Sequence, residues 1–356
     1  MFNYKKLFST EPFSISQKLK ENWYFKDQKK LSLYHYRKCT EYKKISDKIF
    51  NDLRKSKTLS DLPFVHANIF KEFNLKSTEN VNLSKTLTSS GTSNSITSKI
   101  NLDRKTSLLQ SRALSHIFSN ILKNKRPHIF FIDSPDVLKG PDSLSARGSA
   151  IKGFSQLVRE SEFLLDTKFN LKISKLINFL KKNPNKDFII FGFTSFIWSF
   201  LIKQIIKMKI NIPKNNGILI HGGGWKKMHK QAIDRNLFNK KILETVGIKT
   251  VHNYYGMVEQ TGSIFLECEK CSCFITSVFS DIIIRDLHFN LVKKGDKGFI
   301  QLFSILPTSY PGHNILTEDV GKIIDNSKCI CAEKGKAFLV YGRMPRSEIR
   351  GCSDTI

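Results

Sequence analysis

Short apolar runs alternate with amphipathic segments in the middle of the chain. The pattern predicts strands at Phe188–Gly192, Gly217–Ile220 and Thr250–Asn253, with helices at about 195–209 and 226–246 between them. Thr194 or Ser195 is the expected cap of the first helix, because either side chain can accept a hydrogen bond from the first turn. Strand, helix, strand, helix, strand at this spacing indicates a parallel sheet.

Each predicted strand of this sheet runs into a loop that contains glycine. The loops are GFTS, HGGGWK and YYGMVE, which begin at Gly192, His221 and Tyr254. Ligands of parallel sheets bind beyond the carboxyl ends of the strands. We therefore expect the three loops to converge on one crevice.

The preceding part of the chain has a different pattern. Residues 1–75 are interpreted as mainly helical and polar, and 84–101 as two short strands around the loop TSSGTSNS. Asp103 is the expected cap of a helix to about Lys123, and HIFFID at 128–133 is a strand candidate. The stretch from Pro135 to Phe154 is rich in Gly, Ser and Pro and is interpreted as a loop.

After about residue 275 the pattern changes to short β segments separated by turn signals. These segments predict a small barrel or sheet packed on the main one. The expected domains are a helical N-terminal cap at 1–80, a main domain at 81–341 that becomes β-rich from about 275, and a tail at 342–356.

Composition permits a sizeable core and narrows the classes of partner. The chain has 356 residues, 40% of them hydrophobic and 28 of them Phe, which suits one large domain or two closely packed ones. The formal net charge of +27 indicates either a polyanionic partner, such as nucleic acid, an acidic carrier protein or a membrane surface, or a compositional bias in which Lys, Asn, Ile and Phe are abundant together. The compositional bias is the favoured interpretation. The lysines are spread over the whole chain, whereas a nucleic-acid binder concentrates its charge on one face, so nucleic acid is not the expected partner.

Two segments of the sequence indicate the cellular location of the protein. The start MFNYKKLFST lacks the apolar stretch of a secretory signal. The run from Phe188 to Ile202 is shorter than the about 18 to 20 apolar residues that a bilayer requires. We expect a cytoplasmic protein with no transmembrane segment and with reduced thiols.

Four segments contain side chains suited to nucleotide chemistry. The loop Thr88–Ser95 offers hydroxyl and backbone N–H groups for phosphate oxygens, although a solvated turn explains the same composition. Tyr255 can stack on a purine, and Glu259 can hold Mg²⁺. Asp319, expected on a turn between β segments, can bind a ribose diol, and Arg343 offers a fixed cation.

The order of these motifs resembles that of the adenylate-forming superfamily of acyl-CoA synthetases, luciferases and peptide-synthetase adenylation domains. Within it, the sequence is most similar to the acyl-protein synthetase (LuxE) family, through SARGSAIKG, HGGGWKK, NYYGMVEQTGSIFLE, FSDIIIRD, LPTSYPGHNILTEDVG and GRMPRSEIRGCSDT. The resemblance covers roughly residue 84 to the end. It implies an α/β fold, the large N-terminal-type domain of these ligases, with parallel sheets, flanking helices and a small β-barrel, and without most or all of the usual small C-terminal domain.

The resemblance also implies a role for each matched residue. The β- and γ-phosphates of ATP would be bound by Ser89, Ser90, Gly91, Thr92 and Ser93. The backbone would approach the adenine and the acyl chain at Gly222, Gly223 and Gly224. In the remaining motifs Tyr255, followed by Gly256, would stack on adenine, Glu259 would position Mg²⁺, Asp319 would hold the ribose hydroxyls, and Arg343 would steady the ribose or the α-phosphate.

Two features depart from the superfamily pattern. Val258 stands where many relatives carry Thr, and the catalytic Lys of the small C-terminal domain has no counterpart, so that Lys226 or Lys227 is a candidate substitute. Members of the LuxE family carry an acyl-acceptor cysteine close to the C-terminus. Cys352 matches that position, and Arg350 would lower the pKa of its thiol.

The other cysteines in the C-terminal third suggest a metal. Cys268, Cys271 and Cys273 form one group and Cys329 and Cys331 a second, at the short spacings common in structural zinc sites. Unrelated reduced thiols are the alternative. His221 is a weaker candidate for a contact with the substrate carboxylate.

The favoured hypothesis is a ligase that uses ATP and Mg²⁺ to activate a carboxylic acid, expected to be a fatty acid. The acyl group would pass to a thiol, Cys352, for delivery to a reductase, an acyltransferase or an acidic carrier protein. The alternatives are a phenylacetate-type acyl-CoA ligase and a non-catalytic basic binding subunit. The presence of Glu259, Asp319 and Arg343 together argues against the last of these.

Overall fold

The computed structural model describes residues 4–89, 97–122, 125–225, 231–325, 331 and 334–343. The chain forms two compact units. The first comprises Met1–Ile117 and Met257–Ile356, and the second comprises Phe118–Gly256. None of the described helices is both long and apolar enough to cross a membrane.

The second unit contains the predicted parallel sheet. Its strands are β4 (His128–Phe131), β5 (Glu160–Phe163), β6 (Phe188–Phe193), β7 (Gly217–Gly222) and β8 (Thr250–Tyr255). They lie side by side in the order β5-β4-β6-β7-β8, and each strand pairs in parallel with its neighbours in this order. The predicted fold class is thereby confirmed, and the carboxyl ends of β6, β7 and β8 lie at one edge of the sheet.

Helices and an apolar core stabilise this sheet. The helices are α6 (Ala146–Ser155), α7 (Ser174–Lys182), α8 (Thr194–Phe196), a π-helical segment (Ile197–Ile202), α9 (Lys203–Met208) and α10 (Arg235–Val246). Phe188 and Ile190 of β6 pack in one buried cluster with Leu180 of α7 and Ile242 of α10. Burying each such side chain stabilises the fold by roughly 1.5–3 kcal/mol, which explains why the central strands are continuous apolar runs.

The sequence-based predictions for two segments of the second unit, 226–246 and Pro135–Phe154, are wrong in part. The helix expected from about Lys226 begins at Arg235, because the Asp234 carboxylate caps it by accepting hydrogen bonds from the N–H groups of Asn236 (2.9 Å) and Leu237 (3.1 Å). The segment from Pro135 to Phe154, expected to be a loop, includes helix α6. Ser145 caps this helix and accepts a hydrogen bond of 3.1 Å from the Gly148 N–H.

The first unit is built around an antiparallel sheet. Its strands are β9 (Phe265–Glu267), β10 (Phe274–Ile275), β11 (Ser280–Arg285), β12 (Lys297–Ser304), β13 (Asn314–Ile324) and β14 (Ala337–Arg343), in the order β11-β12-β13-β14-β10-β9. Strand β1 (Val65–His66) pairs in parallel with β13. A separate hairpin of β2 (Leu83–Thr88) and β3 (Lys99–Asp103) confirms the two strands expected around the Ser/Thr loop.

Helix α5 (Arg104–Leu122) follows this hairpin directly. The Asp103 carboxylate accepts a hydrogen bond of 2.7 Å from the Thr106 N–H, which confirms Asp103 as the predicted cap. The cap fixes where the chain leaves the second strand of the hairpin and begins the helix.

Helices rich in polar residues precede the hairpin, as predicted. They are α1 (Tyr4–Phe8), α2 (Gln17–Lys38), α3 (Thr40–Ile49) and α4 (Ile69–Glu72). Helix α2 buries polar side chains that have partners: the Tyr24 hydroxyl donates to the Phe279 carbonyl at 3.1 Å, and the Lys20 ammonium donates to the Ser277 carbonyl at 2.8 Å. The boundary of this cap at residue 80 stays a prediction.

The sequence predicted a turn at Thr317–Asp319, and this prediction is wrong. The segment is part of β13. Acidic residues are uncommon in strands, but here hydrogen bonds to nearby residues stabilise the segment. The Thr317 hydroxyl donates to the Ile300 carbonyl at 2.8 Å, and the Glu318 carboxylate accepts from the Asn68 side chain at 2.6 Å. The register shift between Val320 and Gly321 lies just beyond this segment.

Candidate functional site

Glu259 is held on a short, buried 3-10 turn, Val258–Gln260, in the first unit. The Gln260 side-chain amide anchors the turn by donating to the carbonyls of Leu302 (3.1 Å) and Gly312 (2.8 Å). The Tyr310 hydroxyl donates to the Glu259 carbonyl at 2.8 Å. These bonds fix the backbone of Glu259, so its carboxylate has a defined position.

The Glu259 carboxylate is buried and is influenced by two cationic side chains. Only 6% of the residue is exposed, and burial raises the pKa of its carboxyl group. The Ser98 side chain and the charges of Lys71 and Arg343 act in the opposite direction. A buried carboxylate can hold Mg²⁺, which proteins bind through one or two carboxylates while water and phosphate complete the shell. The two cationic side chains suit the anionic phosphates of such a complex.

The base of the Ser/Thr loop lies next to this carboxylate. The Ser98 N–H donates to the Ser89 hydroxyl at 2.9 Å, and the Ser89 N–H donates to the Ser98 carbonyl at 3.2 Å. These two bonds close the hairpin of β2 and β3. Since Ser98 also influences the pKa of Glu259, the loop that the sequence suggested for phosphates begins beside the residue suggested for Mg²⁺.

A second group of polar side chains reaches the same place from the N-terminal region. The Lys71 ammonium donates to the Asn68 side-chain oxygen at 2.8 Å, and the Asn68 amide donates to Glu318 at 2.6 Å. Sequence reasoning missed these residues because it assigned no candidate site residue to the helical N-terminal cap at 1–80. The signal was the polar spacing of His66, Asn68 and Lys71 directly after an apolar segment.

Glu318 connects this group to the end of β14. The Arg343 guanidinium lies 3.6 Å from the Glu318 carboxylate. Partial burial acts to raise the pKa of Glu318, but the Asn68 hydrogen bond and the charges of Arg343 and Lys71 outweigh it and hold that pKa below its usual value. Asp319 is the next residue of β13 and is the Cα partner of Arg343 on β14. The structure therefore brings together Ser89, Glu259, Asp319 and Arg343, all within the first unit.

In the second unit, Gly222 and Gly223 make room for aromatic rings. A Cβ at Gly222 would lie 2.7 Å from the Tyr254 ring. A Cβ at Gly223, where φ is +74°, would lie 2.3 Å from the Phe193 ring. At Gly224 φ is +59° and a Cβ would meet nothing within 4 Å. These contacts explain the first two glycines through packing, and a role in approaching adenine and acyl chain stays a prediction.

Tyr255 and Tyr254 are the last two residues of β8. The ring of Tyr254 is stacked with Phe191, with 6.0 Å between the centroids. Tyr255 is the last residue of the strand, is partly buried and is followed by Gly256. Tyr255 therefore lies at the carboxyl edge of the parallel sheet, and its stacking on adenine stays a prediction.

His221 is buried at the end of β7. Its Nδ1 lies 2.9 Å from the Thr194 hydroxyl, which also donates to the Gly222 carbonyl at 3.1 Å. Burial lowers the pKa of His221 to about 3. Thr194 therefore bonds to β7, and the prediction that it caps the following helix is wrong. The capping position of that helix is Phe193, which makes no side-chain capping bond.

Three of the predicted metal-binding cysteines lie together in the first unit. The sulfur atoms of Cys268, Cys271 and Cys331 all lie within 4.8 Å of one another. The Lys270 N–H donates to the Cys268 sulfur at 3.4 Å. Cys273 does not belong to this group, and its sulfur lies 3.3 Å from the Cys271 carbonyl.

Several predicted site residues lie outside the part of the chain that the structure describes. They are Ser90, Gly91, Thr92, Ser93, Lys226, Lys227, Cys329 and Cys352.

Two known ligases are similar in sequence to this chain. A Long-chain-fatty-acid–luciferin-component ligase of Aliivibrio fischeri is 25% identical over 332 residues, which cover 85% of this chain and 81% of the relative. The protein of the same description from Vibrio harveyi is 24% identical, covering 94% of this chain and 89% of the relative.

The fold is shared with a solved adenylate-forming ligase. An open conformation of 2-Hydroxyisobutyryl-CoA Ligase in complex with 2-HIB-AMP and CoA superposes with a TM-score of 0.73. The match covers 93% of this chain and 76% of that chain, at 13% identity. The family model described as Acyl-protein synthetase, LuxE, matches residues 4–356. Because that match spans nearly the whole sequence, the chain belongs to the acyl-protein synthetase (LuxE) family of ligases.

Proposed function

We propose that this ligase activates a fatty acid by forming an acyl-adenylate from ATP. The observation that carries the proposal is the position of Glu259, a buried carboxylate next to the base of the Ser/Thr loop and under the influence of Lys71 and Arg343. A triphosphate with its Mg²⁺ supplies the charges that such a group of residues complements. The substrate class follows from the long-chain fatty acid in the names of the two relatives.

The reaction is a displacement at the α-phosphorus. A carboxylate oxygen of the fatty acid forms a bond to the α-phosphorus, and the bond from that phosphorus to the bridging oxygen of pyrophosphate breaks. Glu259 would hold Mg²⁺ on the phosphates, Asp319 would hold the ribose, and Arg343 would steady the ribose or the α-phosphate. No proton has to move, so catalysis consists of positioning and charge stabilisation.

Pyrophosphate exchange tests this activation step. The protein is incubated with ATP, Mg²⁺, labelled pyrophosphate and one acid at a time, from short to long chains. Incorporation of label into ATP that depends on a long-chain acid supports the proposal. Glu259→Gln removes the charge and keeps the shape, so it should abolish most exchange, and Glu269→Gln is the matched control on the same stretch of chain. No exchange with any acid overturns the proposal.

The acyl group then passes to the Cys352 thiol, as in the acyl-protein synthetases that the sequence resembles. The thiolate attacks the carbonyl carbon of the acyl-adenylate, AMP leaves, and a thioester remains. The support is the family match, which extends through residue 356 and so includes Cys352. A reductase or an acyltransferase would be the protein that accepts the acyl group from this thioester.

Labelled acid distinguishes the acceptor thiols. Wild-type protein given labelled fatty acid and ATP should retain label that hydroxylamine removes, and Cys352→Ser should lose it while pyrophosphate exchange persists. Cys39→Ser is the matched control, because Cys39 is a buried thiol far from the C-terminal residues in sequence. Label that persists in Cys352→Ser, or that moves to added coenzyme A, contradicts the transfer to Cys352.

The three clustered cysteines are proposed to hold a structural zinc ion. Zn–S bonds of about 2.3 Å in a tetrahedral site require sulfur atoms roughly as close as those of Cys268, Cys271 and Cys331. Cys329 is the fourth ligand suggested by the sequence. Metal analysis of the purified protein should find one zinc per chain that is lost in Cys271→Ser and kept in Cys273→Ser, while zinc-free wild type contradicts the proposal.

A further inference from the structure

A lysine from the N-terminal helices lies among the acidic residues of the candidate site. Lys71 belongs to α4, is half-buried, and donates to the Asn68 side-chain oxygen at 2.8 Å. Asn68 in turn donates to Glu318 at 2.6 Å. Since an ammonium has three N–H donors and this bond uses one, Lys71 is held in place while it retains donors for a ligand.

The charge of Lys71 acts on several groups of the site. Burial is the largest influence on the pKa of Glu259 and raises it, whereas the charge of Lys71 acts to lower it. Burial likewise lowers the pKa of His66, and Lys71 adds to that effect. Glu318 is influenced as well. A single ammonium that acts on three ionisable groups from three different segments lies at a point where those segments meet.

Strand pairing explains how an N-terminal residue reaches this point. Val65 and His66 form β1, which pairs in parallel with Ile315 and Leu316 of β13. The Ala67 N–H adds a bond of 2.9 Å to the Leu316 carbonyl. These bonds place the start of α4 beside Glu318 and Asp319. Lys71 is therefore positioned by the sheet that carries the ribose-binding candidate.

We propose that Lys71 binds the phosphates of ATP that leave as pyrophosphate. The inference rests on the proposed acid activation. The buried Glu259 is the candidate ligand of Mg²⁺ at the same point, and the Ser/Thr loop begins beside it, so a cation here lies where the β- and γ-phosphates are expected. Lys71 would neutralise the charge that develops on pyrophosphate as its bond to the α-phosphorus breaks.

Binding of ATP and of AMP separates this role from a structural one. Lys71→Met should weaken the affinity for an ATP analogue that cannot be cleaved between the α- and β-phosphates by on the order of ten- to a hundredfold, as expected for one charge-assisted hydrogen bond. Its affinity for AMP should stay that of the wild type, because AMP lacks the phosphates concerned. Lys71→Arg, which keeps the charge, should recover most of the affinity.

Lys76→Met is the matched control, since Lys76 follows in the same segment and donates to the Asn80 side chain at 2.6 Å. It should bind both nucleotides as the wild type does. If Lys71→Met loses affinity equally for the ATP analogue and AMP, or loses none for either, the inference is overturned. Acid-dependent pyrophosphate exchange by the wild type would still support the proposed function in that case. A wild type without acid-dependent exchange overturns the proposed function itself.

Discussion

Asp319 lies directly opposite Arg343 in the antiparallel pairing of β13 and β14. The pairing of the two strands therefore fixes the backbone positions of these two residues relative to each other, although they are far apart in sequence. The Arg343 side chain also lies 3.6 Å from Glu318. The strand pairing sets the spacing between the group proposed for the ribose and the group proposed for the α-phosphate.

Replacing Asp319 tests the ribose contact. Asp319→Asn replaces a charged acceptor by a neutral amide, and the affinity for nucleotide should fall by roughly tenfold or more. ATP and AMP should weaken together, because both contain the ribose. Calorimetric titration of both nucleotides measures the effect, with the exposed Asp296→Asn as control. Unchanged AMP binding by Asp319→Asn would remove the ribose role.

The environment of Glu259 predicts a pH-dependent requirement for Mg²⁺. Burial raises the pKa of this carboxyl group, so it takes up a proton at a higher pH than an exposed glutamate does. Protonation removes a metal ligand, and the Mg²⁺ concentration needed for half-maximal exchange should therefore rise as the pH falls. Titrating Mg²⁺ at several pH values measures this. Constant Mg²⁺ dependence across acidic pH contradicts the role of Glu259.

A buried ion cluster should stabilise the first unit. Asp281 accepts from the Lys336 ammonium at 2.8 Å and lies 3.8 Å from that of Lys20, with its carboxylate fully buried. Asp281→Asn leaves two lysines without their counter-charge, and the free energy of unfolding should fall by about 3–5 kcal/mol. Asp136→Asn breaks an exposed pair with Lys139 and should change stability by less than about 0.5 kcal/mol. Urea denaturation compares them, and equal small effects would contradict the prediction.

Two stacked histidines predict acid sensitivity. His35 and His313 are fully buried with 4.7 Å between ring centroids, and burial lowers the pKa of His35 to about 3 and that of His313 well below its usual value. Both stay neutral in the folded state, whereas the unfolded chain takes up protons near pH ~6.5. Stability is therefore fully present above that pH and declines below it, by up to about 1.4 kcal/mol per pH unit for each histidine.

Urea denaturation between neutral and mildly acidic pH measures this decline. His313→Gln removes one of the two titrating groups and should give a shallower dependence of stability on pH. His288→Gln changes an exposed histidine and should leave the slope of the wild type. Identical slopes in wild type and His313→Gln would show that the buried pair does not carry the acid sensitivity.

The apolar strands of the second unit were predictable because each is buried on both faces and is therefore apolar throughout. The helix after Ser145 was not, because its glycines resemble loop residues and its cap depends on one hydroxyl. The strand position of Glu318 depends on the distant Asn68, which a local pattern does not contain.

The candidate site was predictable only where a motif carried it. Glu259, Asp319 and Arg343 were recognised from ordered motifs, and the structure brings them together in one unit. Lys71 has no motif of its own. Its position follows from the pairing of β1 with β13, a contact between segments far apart in sequence.

Trapping the acyl-adenylate tests the central claim most directly. Cys352→Ser protein is mixed with Mg²⁺, a long-chain fatty acid and ATP labelled on the α-phosphate, and the products are separated after a single turnover. The account predicts a labelled acyl-adenylate that depends on the acid and that hydroxylamine converts to AMP and the hydroxamate. Formation of ADP, or no acid-dependent labelled product, would contradict it.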